Sequence, residues 1–308
     1  MSLVGFFRGA GPNGFGHNST AEEVTSALDL SGKTYLLTGC NSGIGRETAR
    51  VLGLRGARVL GAARTIEKAT IACKDFGTGA TPVACELSDP VSVRAAVQRV
   101  GEMVDSLDGI LCNAGIMALP KRELQHGVEA QFFTNHVGHF ILVTGLLPLL
   151  AEKGRVVMTS SMAHSGTYSD GIRLDDLDAS GGYSAWGAYG QSKLANILFA
   201  SHLATLLKPG QRAHAVHPGV INTNLGRHMN ALVRGVSSIL APLFLKTIPQ
   251  GAATQTLVAT HPSVDDLNGL YWVDCNPAKA SHHARNATLA AELWARTTEI
   301  VDGLGDRS

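Results

Sequence analysis

From residue 34 onward the chain alternates short apolar runs with longer stretches whose apolar positions recur every three or four residues. The runs 34–37, 58–63, 82–85, 109–113, 155–159 and 213–217 are short and apolar on both faces, so they read as buried strands. Between them, helical periodicity covers Glu47, Ala49, Val51, Leu52 and Leu54, then 66–74, 91–104, 123–149 and 185–207. Upstream, Ser19-Thr20-Ala21-Glu22-Glu23 sets a hydroxyl ahead of two acids. This is a capping signal for a short helix that ends near Leu30, before a turn at 31–33. After His217 the pattern loosens into a loop-plus-helix excursion over 220–250. A helix over 251–260, a last strand over 269–274 and a closing helix near 284–301 follow.

Strict alternation of strand and helix predicts an α/β fold with a parallel sheet covered by helices on both faces. Right-handed crossovers make it a doubly wound sheet of about seven strands, with a ligand crevice at the carboxyl ends where the winding reverses. No repeat, low-complexity block or linker follows Gly32, which predicts a single domain over 19–308 behind a flexible arm at 1–18. The alternating core spans about 31–220, and 220–250 is expected to form a loop or lid over the crevice.

Composition narrows the function. The 308 residues are 44% hydrophobic and 17% charged, with a net charge of +1, which argues against nucleic acid or an acidic membrane as partner. Cys40, Cys73, Cys85, Cys112 and Cys275 form no C-x-x-C pair and read as reduced core residues of a cytoplasmic protein. The glycosylation patterns at Asn18 and Asn286 therefore read as chance. No run of about 18 apolar residues appears; the nearest, 236–248, is broken by Ser237, Ser238, Pro242 and Lys246, so no stable membrane insertion is expected.

Candidate chemistry lies at the strand ends. Thr38-Gly39-Cys40-Asn41-Ser42-Gly43-Ile44-Gly45 joins a buried strand to a helix. Its glycines allow a sharp turn and close approach to a pyrophosphate, and the helix's first amides supply donors; the alternative is a merely tight turn. Arg64 ends the second strand where an NAD-preferring site offers a carboxylate, and with Arg46 it would suit a 2′-phosphate, unless both are surface arginines. Asn113-Ala114-Gly115 is a small turn beside the adenosine or at the sheet's centre. Tyr189 and Lys193, four apart on one helix face, pair a phenol with an ammonium that favours the phenolate. Ser161 closes a strand where its hydroxyl would meet a substrate oxygen, or simply cap. Asn135 is a polar residue in an apolar helix, alternatively a satisfied buried amide. His136 and His139 read as packed histidines, not as a metal site.

Taken in order, Thr38 to Gly45, Asn113-Ala114-Gly115, Asn135, Ser161, Tyr189 with Lys193, and His217-Pro218-Gly219 resemble the short-chain dehydrogenase/reductase family. The resemblance covers about 31–275. It is closest to the retinol dehydrogenase, WW-domain oxidoreductase and plant chloroplast-envelope branch, through Asn135-His136-Val137-Gly138-His139-Phe140, Ser192 to Phe199, Pro249-Gln250-Gly251-Ala252 and Tyr271 to Cys275. It implies a Rossmann fold that binds NADP(H). Tyr189 would transfer the proton, Lys193 would lower its pKa and hold the nicotinamide ribose, and Ser161, rather than Ser160, would polarise the carbonyl. Asn135 would hold a relay water, and Pro218, Gly219, Val220 and Thr223 would contact the nicotinamide side. Glu86-Leu87 replaces the family's Asp-Leu at the adenine, so that contact is expected to shift. No N-terminal membrane anchor of the kind these relatives often carry is read, which weighs against a membrane-bound retinoid role.

The resemblance implies an NADP(H)-dependent oxidoreductase interconverting an alcohol and an aldehyde or ketone on a small lipophilic substrate. The alternatives are a reductase of a conjugated C=C bond and a non-catalytic NADP(H)-binding sensor or scaffold. Tyr168, Ile172, Leu174 and Trp186, with 220–250, are expected to build the pocket. The long helices 123–149 and 185–207 are of the kind that pairs across subunits in this family, which suggests a homo-oligomer.

Overall fold

The computed structural model describes residues 9–221 and 245–305. Its strands are β1 (Thr34–Thr38), β2 (Arg58–Ala63), β3 (Thr81–Ala84), β4 (Leu107–Cys112), β5 (Leu124–Gln125), β6 (Val128–Glu129), β7 (Leu150–Thr159), β8 (Arg212–His217), β9 (Tyr271–Val273) and β10 (Asn276–Pro277). Eight of these form one sheet in the order β3-β2-β1-β4-β7-β8-β9-β10, parallel except for the short antiparallel β10. This is the expected doubly wound Rossmann sheet with one more strand, and its winding reverses between β1 and β4. The helices are α1 (Ala21–Val24), α2 (Gly43–Leu54), α3 (Ile66–Cys73), α4 (Pro90–Met103), α5 (Ala130–Leu149), α6 (Ala185–Leu206), α7 (Ile248–Thr260) and α8 (Ala287–Gly303).

Successive strand residues point to opposite faces, and the core divides accordingly. Leu36, Leu60, Ile110, Val156 and Met158 pack under α4, α5 and α6. Their neighbours Leu37, Val59, Leu111 and Val157 pack under α2, α3 and α7. Side chains cap most helix starts: Thr65 at α3, Asp89 at α4, Glu129 at α5, Ser184 at α6, Thr247 at α7 and Asn286 at α8. At α2, Ser42 occupies the capping position but its side chain makes no capping hydrogen bond.

One helix differs from expectation. The pattern placed over 123–149 opens with a β5–β6 hairpin, because His126 and Gly127 both adopt left-handed backbone angles (φ 52° and 84°) and form a tight two-residue turn. The helix begins at Ala130 and passes through a π-turn, Phe133–Val137, before returning to α-helix at Gly138–Leu146. By length and hydropathy Ala130–Leu149 could cross a membrane, but its most apolar window is 72% buried, as befits a core helix.

The outer faces of α5 and α6, where pairing across subunits was expected, are covered by the chain's own α8. Trp294 stacks on Phe199 at 5.4 Å and meets Phe140 edge-on at 4.9 Å, while His136 hydrogen-bonds Thr297 at 3.0 Å. Replacing Trp294 with Ala should lower the unfolding free energy by about 3 kcal/mol in urea titration, whereas a loss below about 1 kcal/mol would mean that α8 is only loosely attached.

Candidate active site

At the switch point the turn after β1 meets the turn after β4. Gly39 (φ 72°) bends the chain so closely that a Cβ there would lie 3.0 Å from Asn113 Nδ2 and 3.1 Å from Ala114 Cα. A Cβ at Gly45 would collide with Gly39 O and Asn113 Nδ2. The two turns are tied by Asn113 Nδ2 donating to Thr38 O at 2.9 Å and by Thr38 Oγ1 accepting from the amides of Asn113 and Ala114 at 3.0 Å each. Asn41 and Ser42 are exposed at the start of α2, whose first turn holds no acidic residue. Gly43 (φ 55°) opens that turn and Ile44 is buried against Ala252. Uncapped amides beside a glycine turn that no Cβ could enter fit the phosphates of a dinucleotide.

Asn135, Lys193 and Gly115 converge: a Cβ on Gly115 would sit 2.9 Å from Asn135 Oδ1 and 3.3 Å from Lys193 Nζ. The Asn135 side chain is fully bonded, accepting from Ile116 N at 2.8 Å and donating to Ile116 O and Ser192 Oγ at 2.9 Å each. Ser192 Oγ donates in turn to Tyr189 O at 2.8 Å. The π-turn carries Asn135, and its backbone carbonyl accepts from His139 Nδ1 at 3.0 Å. His139 Nε2 lies 2.9 Å from Thr38 Oγ1. Two amides already donate to that hydroxyl, so its proton points to His139, which fixes the ring with hydrogen on Nδ1. Burial, foremost, and the charge of Lys193 hold His139 down to about 4, keeping it neutral.

β7 ends in Thr159-Ser160-Ser161. Ser160 Oγ donates to Lys193 O at 2.7 Å and so turns toward α6. Ser161 faces Tyr189, and its hydroxyl lowers the phenol's pKa against a larger upward push from burial, which leaves the phenol at about 12. Lys193 Nζ donates to Thr159 O at 3.0 Å and lies 5.7 Å from the Tyr189 ring centroid. Burial lowers its pKa from 10.5 to about 8. Burial is the largest influence on Tyr189 in the cofactor-free protein, and it favours the neutral phenol, the form that can donate a proton.

The remaining cofactor candidates divide. Arg64 is exposed at the end of β2 and makes no hydrogen bond or ion pair among the described residues. Arg46 is exposed and paired with Asp75. Glu86 turns into its own loop, accepting from Ser88 N and Oγ, while Leu87 is buried in the core. Asn113 Oδ1 is buried with no partner, an acceptor left open in the crevice wall. Pro218 and Gly219 follow β8, and Val220 is exposed. Thr223, with 222–244 of the expected lid, lies outside the described residues. Of the expected pocket residues, Trp186 meets Tyr189 edge-on at 6.1 Å, whereas Tyr168 is turned onto Arg173 and Ile172 is buried in the core. No cluster of three metal-ligating side chains occurs among the described residues. Reading the sequence missed Thr38, His139 and Ser192 as site residues. The four-residue step from Asn135 to His139 was the available signal for one of them.

Comparisons with known proteins converge on one family. The family model described as short chain dehydrogenase matches residues 33–172. Short-chain dehydrogenase TIC 32 A, chloroplastic, of Brassica napus is 40% identical over 99% of this chain and 100% of its own length. Retinol dehydrogenase 11 of Homo sapiens is 38% identical over 90% of this chain and 88% of its own. An uncharacterized protein from Mycobacterium Paratuberculosis, 34% identical, superposes with a TM-score of 0.73 over 91% of this chain and 97% of that one. A short chain dehydrogenase from Burkholderia cenocepacia, solved in complex with NADP and 27% identical, gives 0.65 over 80% of this chain and 98% of that one.

The buried ammonium makes a stability prediction for the cofactor-free protein. A lysine depressed by burial contributes stability that is present above its unfolded pKa and lost as pH falls through the folded value. Lys193→Met should therefore stabilise the protein at pH 7 by about 1–3 kcal/mol. The gain should shrink between about 8 and 10.5, where the wild type recovers stability. Thermal unfolding at pH 7 and pH 10 checks this; a variant less stable at both would show that the bond to Thr159 O outweighs the cost of burial.

Proposed function

The chain belongs to the short-chain dehydrogenase/reductase family, in its retinol dehydrogenase-like branch, and on that premise we propose that it is an NADP(H)-dependent oxidoreductase interconverting an alcohol and an aldehyde or ketone on a small lipophilic substrate. The observation that carries the reading is the convergence of Ser161, Tyr189 and Lys193 at one end of the sheet, beside the uncapped start of α2. Bound across the crevice, the nicotinamide cofactor supplies or accepts the hydride.

The chain's own groups do the rest. In the reducing direction the substrate oxygen accepts hydrogen bonds from Ser161 Oγ and Tyr189 Oη. As charge develops on that oxygen, Tyr189 releases its proton to it, and Lys193 Nζ stabilises the phenolate left behind. A phenol held near 12 is a suitable acid for this direction, since it stays protonated at neutral pH. Asn135 positions α6 through Ser192. The amides of α2 bind the pyrophosphate, and Arg64, with no partner of its own, meets the 2′-phosphate.

A lipophilic substrate is favoured by the rim. Met162, Trp186 and Val220 are large apolar side chains exposed by 61%, 50% and 58%, and they adjoin Ser161, Tyr189 and Gly219. The relatives' names make retinal the first aldehyde to try. Five free, buried cysteines accord with a reducing compartment such as the cytoplasm, although one relative's name places that protein in the chloroplast. Any homo-oligomer would use surfaces other than those under α8.

The test is oxidation of NADPH and NADH, side by side, across apolar aldehydes and ketones. Tyr189→Phe should lose at least about 10³-fold in kcat while still binding cofactor. Arg64→Ala should raise KM for NADPH by about tenfold and leave NADH unchanged. Full turnover by Tyr189→Phe would overturn the site, a wild-type preference for NADH would overturn the role of Arg64, and cofactor binding with no carbonyl turnover would overturn the reaction class.

A further inference from the structure

Residues 9–18, part of the arm expected to be flexible, pack onto the turn between β9 and β10. Asn13 Nδ2 donates to Cys275 O at 2.7 Å, and Asn276 Nδ2 donates to Phe15 O at 3.0 Å. Phe15 meets His261 edge-on at 5.4 Å, and Gln250 Nε2 donates to Asn18 O at 3.3 Å. The turn beneath is conformationally costly: Asp274 and Cys275 both adopt left-handed angles (φ 51° and 63°), and neither is glycine. Such residues persist only where their surroundings over-determine them, and the arm supplies part of those surroundings.

The arm also reaches the crevice through charge. His17 Nδ1 lies 3.3 Å from Asp274 Oδ1, and the same oxygen lies 2.6 Å from Lys246 Nζ. The Lys246 side chain is 1% exposed, so its ammonium needs that carboxylate. Lys246 is in turn bound to the segment that follows β8. Its amide donates to Val220 O at 2.9 Å, it pairs with Ile221 as an isolated parallel bridge, and its stem fills the space where a Cβ on Gly219 would lie, 2.6 Å from Lys246 Cδ. An unbroken line of contacts thus runs from the arm through Asp274 and Lys246 to residues 219–221.

We propose that residues 13–18 are a positioning strap which, through the Asp274 carboxylate and the Lys246 ammonium, holds 218–221 in place on the nicotinamide side of the crevice. The link to catalysis rests on the reading of 218–220 as cofactor contacts; the strap itself does not. Lys246 and His17 are positioning residues that touch neither substrate nor cofactor, so their loss should weaken cofactor binding more than chemistry.

The experiment has two readouts on the full-length chain. In the cofactor-free protein, amide hydrogen exchange is followed at Lys246, with its bond to Val220 O as the reporter. His17→Ala and Lys246→Met should each accelerate it by about tenfold, and Lys246→Arg should restore protection. In steady-state assays the same two variants should raise KM for NADPH by about tenfold with kcat within about twofold of wild type. Unchanged exchange in both variants would overturn the strap whatever the enzyme does. Faster exchange with unchanged KM would overturn its link to the cofactor. A wild type that turns over no carbonyl would overturn the proposed function, while the exchange data would still decide the strap. Should Lys246→Met fail to fold, His17→Ala, which removes the arm's contact with Asp274 and leaves Lys246 in place, decides both readouts.

Discussion

At the centre of a doubly wound sheet the crossovers run outward in both directions, and no connecting loop ties the ends of β1 and β4 together. Thr38 does this with one hydroxyl. It accepts two amide hydrogens from the turn after β4 and directs its own proton to His139, which holds the carbonyl of Asn135. Three elements carrying the phosphate turn, the Asn113-Ala114-Gly115 turn and the π-turn thus share a buried network in which the donor and acceptor roles of Thr38 and His139 are assigned, with Asn113 Oδ1 the acceptor left over. Such networks are rigid when fully satisfied and costly when not, so the crevice is set by hydrogen bonding as much as by apolar packing.

The same crevice is electrostatically one-sided. The uncapped start of α2, the Lys193 ammonium and Arg64, which has no ion pair among the described residues, all offer positive character, while Glu86, the nearby acid, is turned into its own loop. Burial keeps His136, His139 and His217 neutral, so they do not add to it. A chain of net charge +1 hides this, because the total says nothing of where the charges sit, and several pair locally on the surface, as in Arg50–Glu47 and Arg173–Asp176.

The order of strands and helices was legible from periodicity, since runs apolar on both faces have few alternatives to a covered parallel sheet. The misreading at 123–149 came from His126-Gly127, a hairpin turn without the Asn or Asp that usually announces one. At the site, Tyr189 and Lys193 were visible because a helix repeats every 3.6 residues. The relation of Ser160 to Ser161 was not visible, because neighbours at a strand end point in opposite directions and only the fold says which faces α6. The surroundings of Tyr189 were hidden for a related reason. Sequence reveals the ammonium four residues away but not how little water reaches the phenol, and burial is the largest influence on it.

Helix α6 shows how site and scaffold constrain each other. It is buried almost continuously from Gly187 to Ala200, on every face. A helix apolar all round must be covered all round. One side lies on the sheet and presents Tyr189 and Lys193 to the crevice, so the other, with Phe199 and Leu203, needs a partner. The family resemblance suggests a second subunit as one such partner. The chain brings its own end back onto this side, with Trp294 against Phe199 and Thr297 against His136 of the neighbouring helix. Asn135, Tyr189 and Lys193 thus sit on helices that are backed by the same polypeptide.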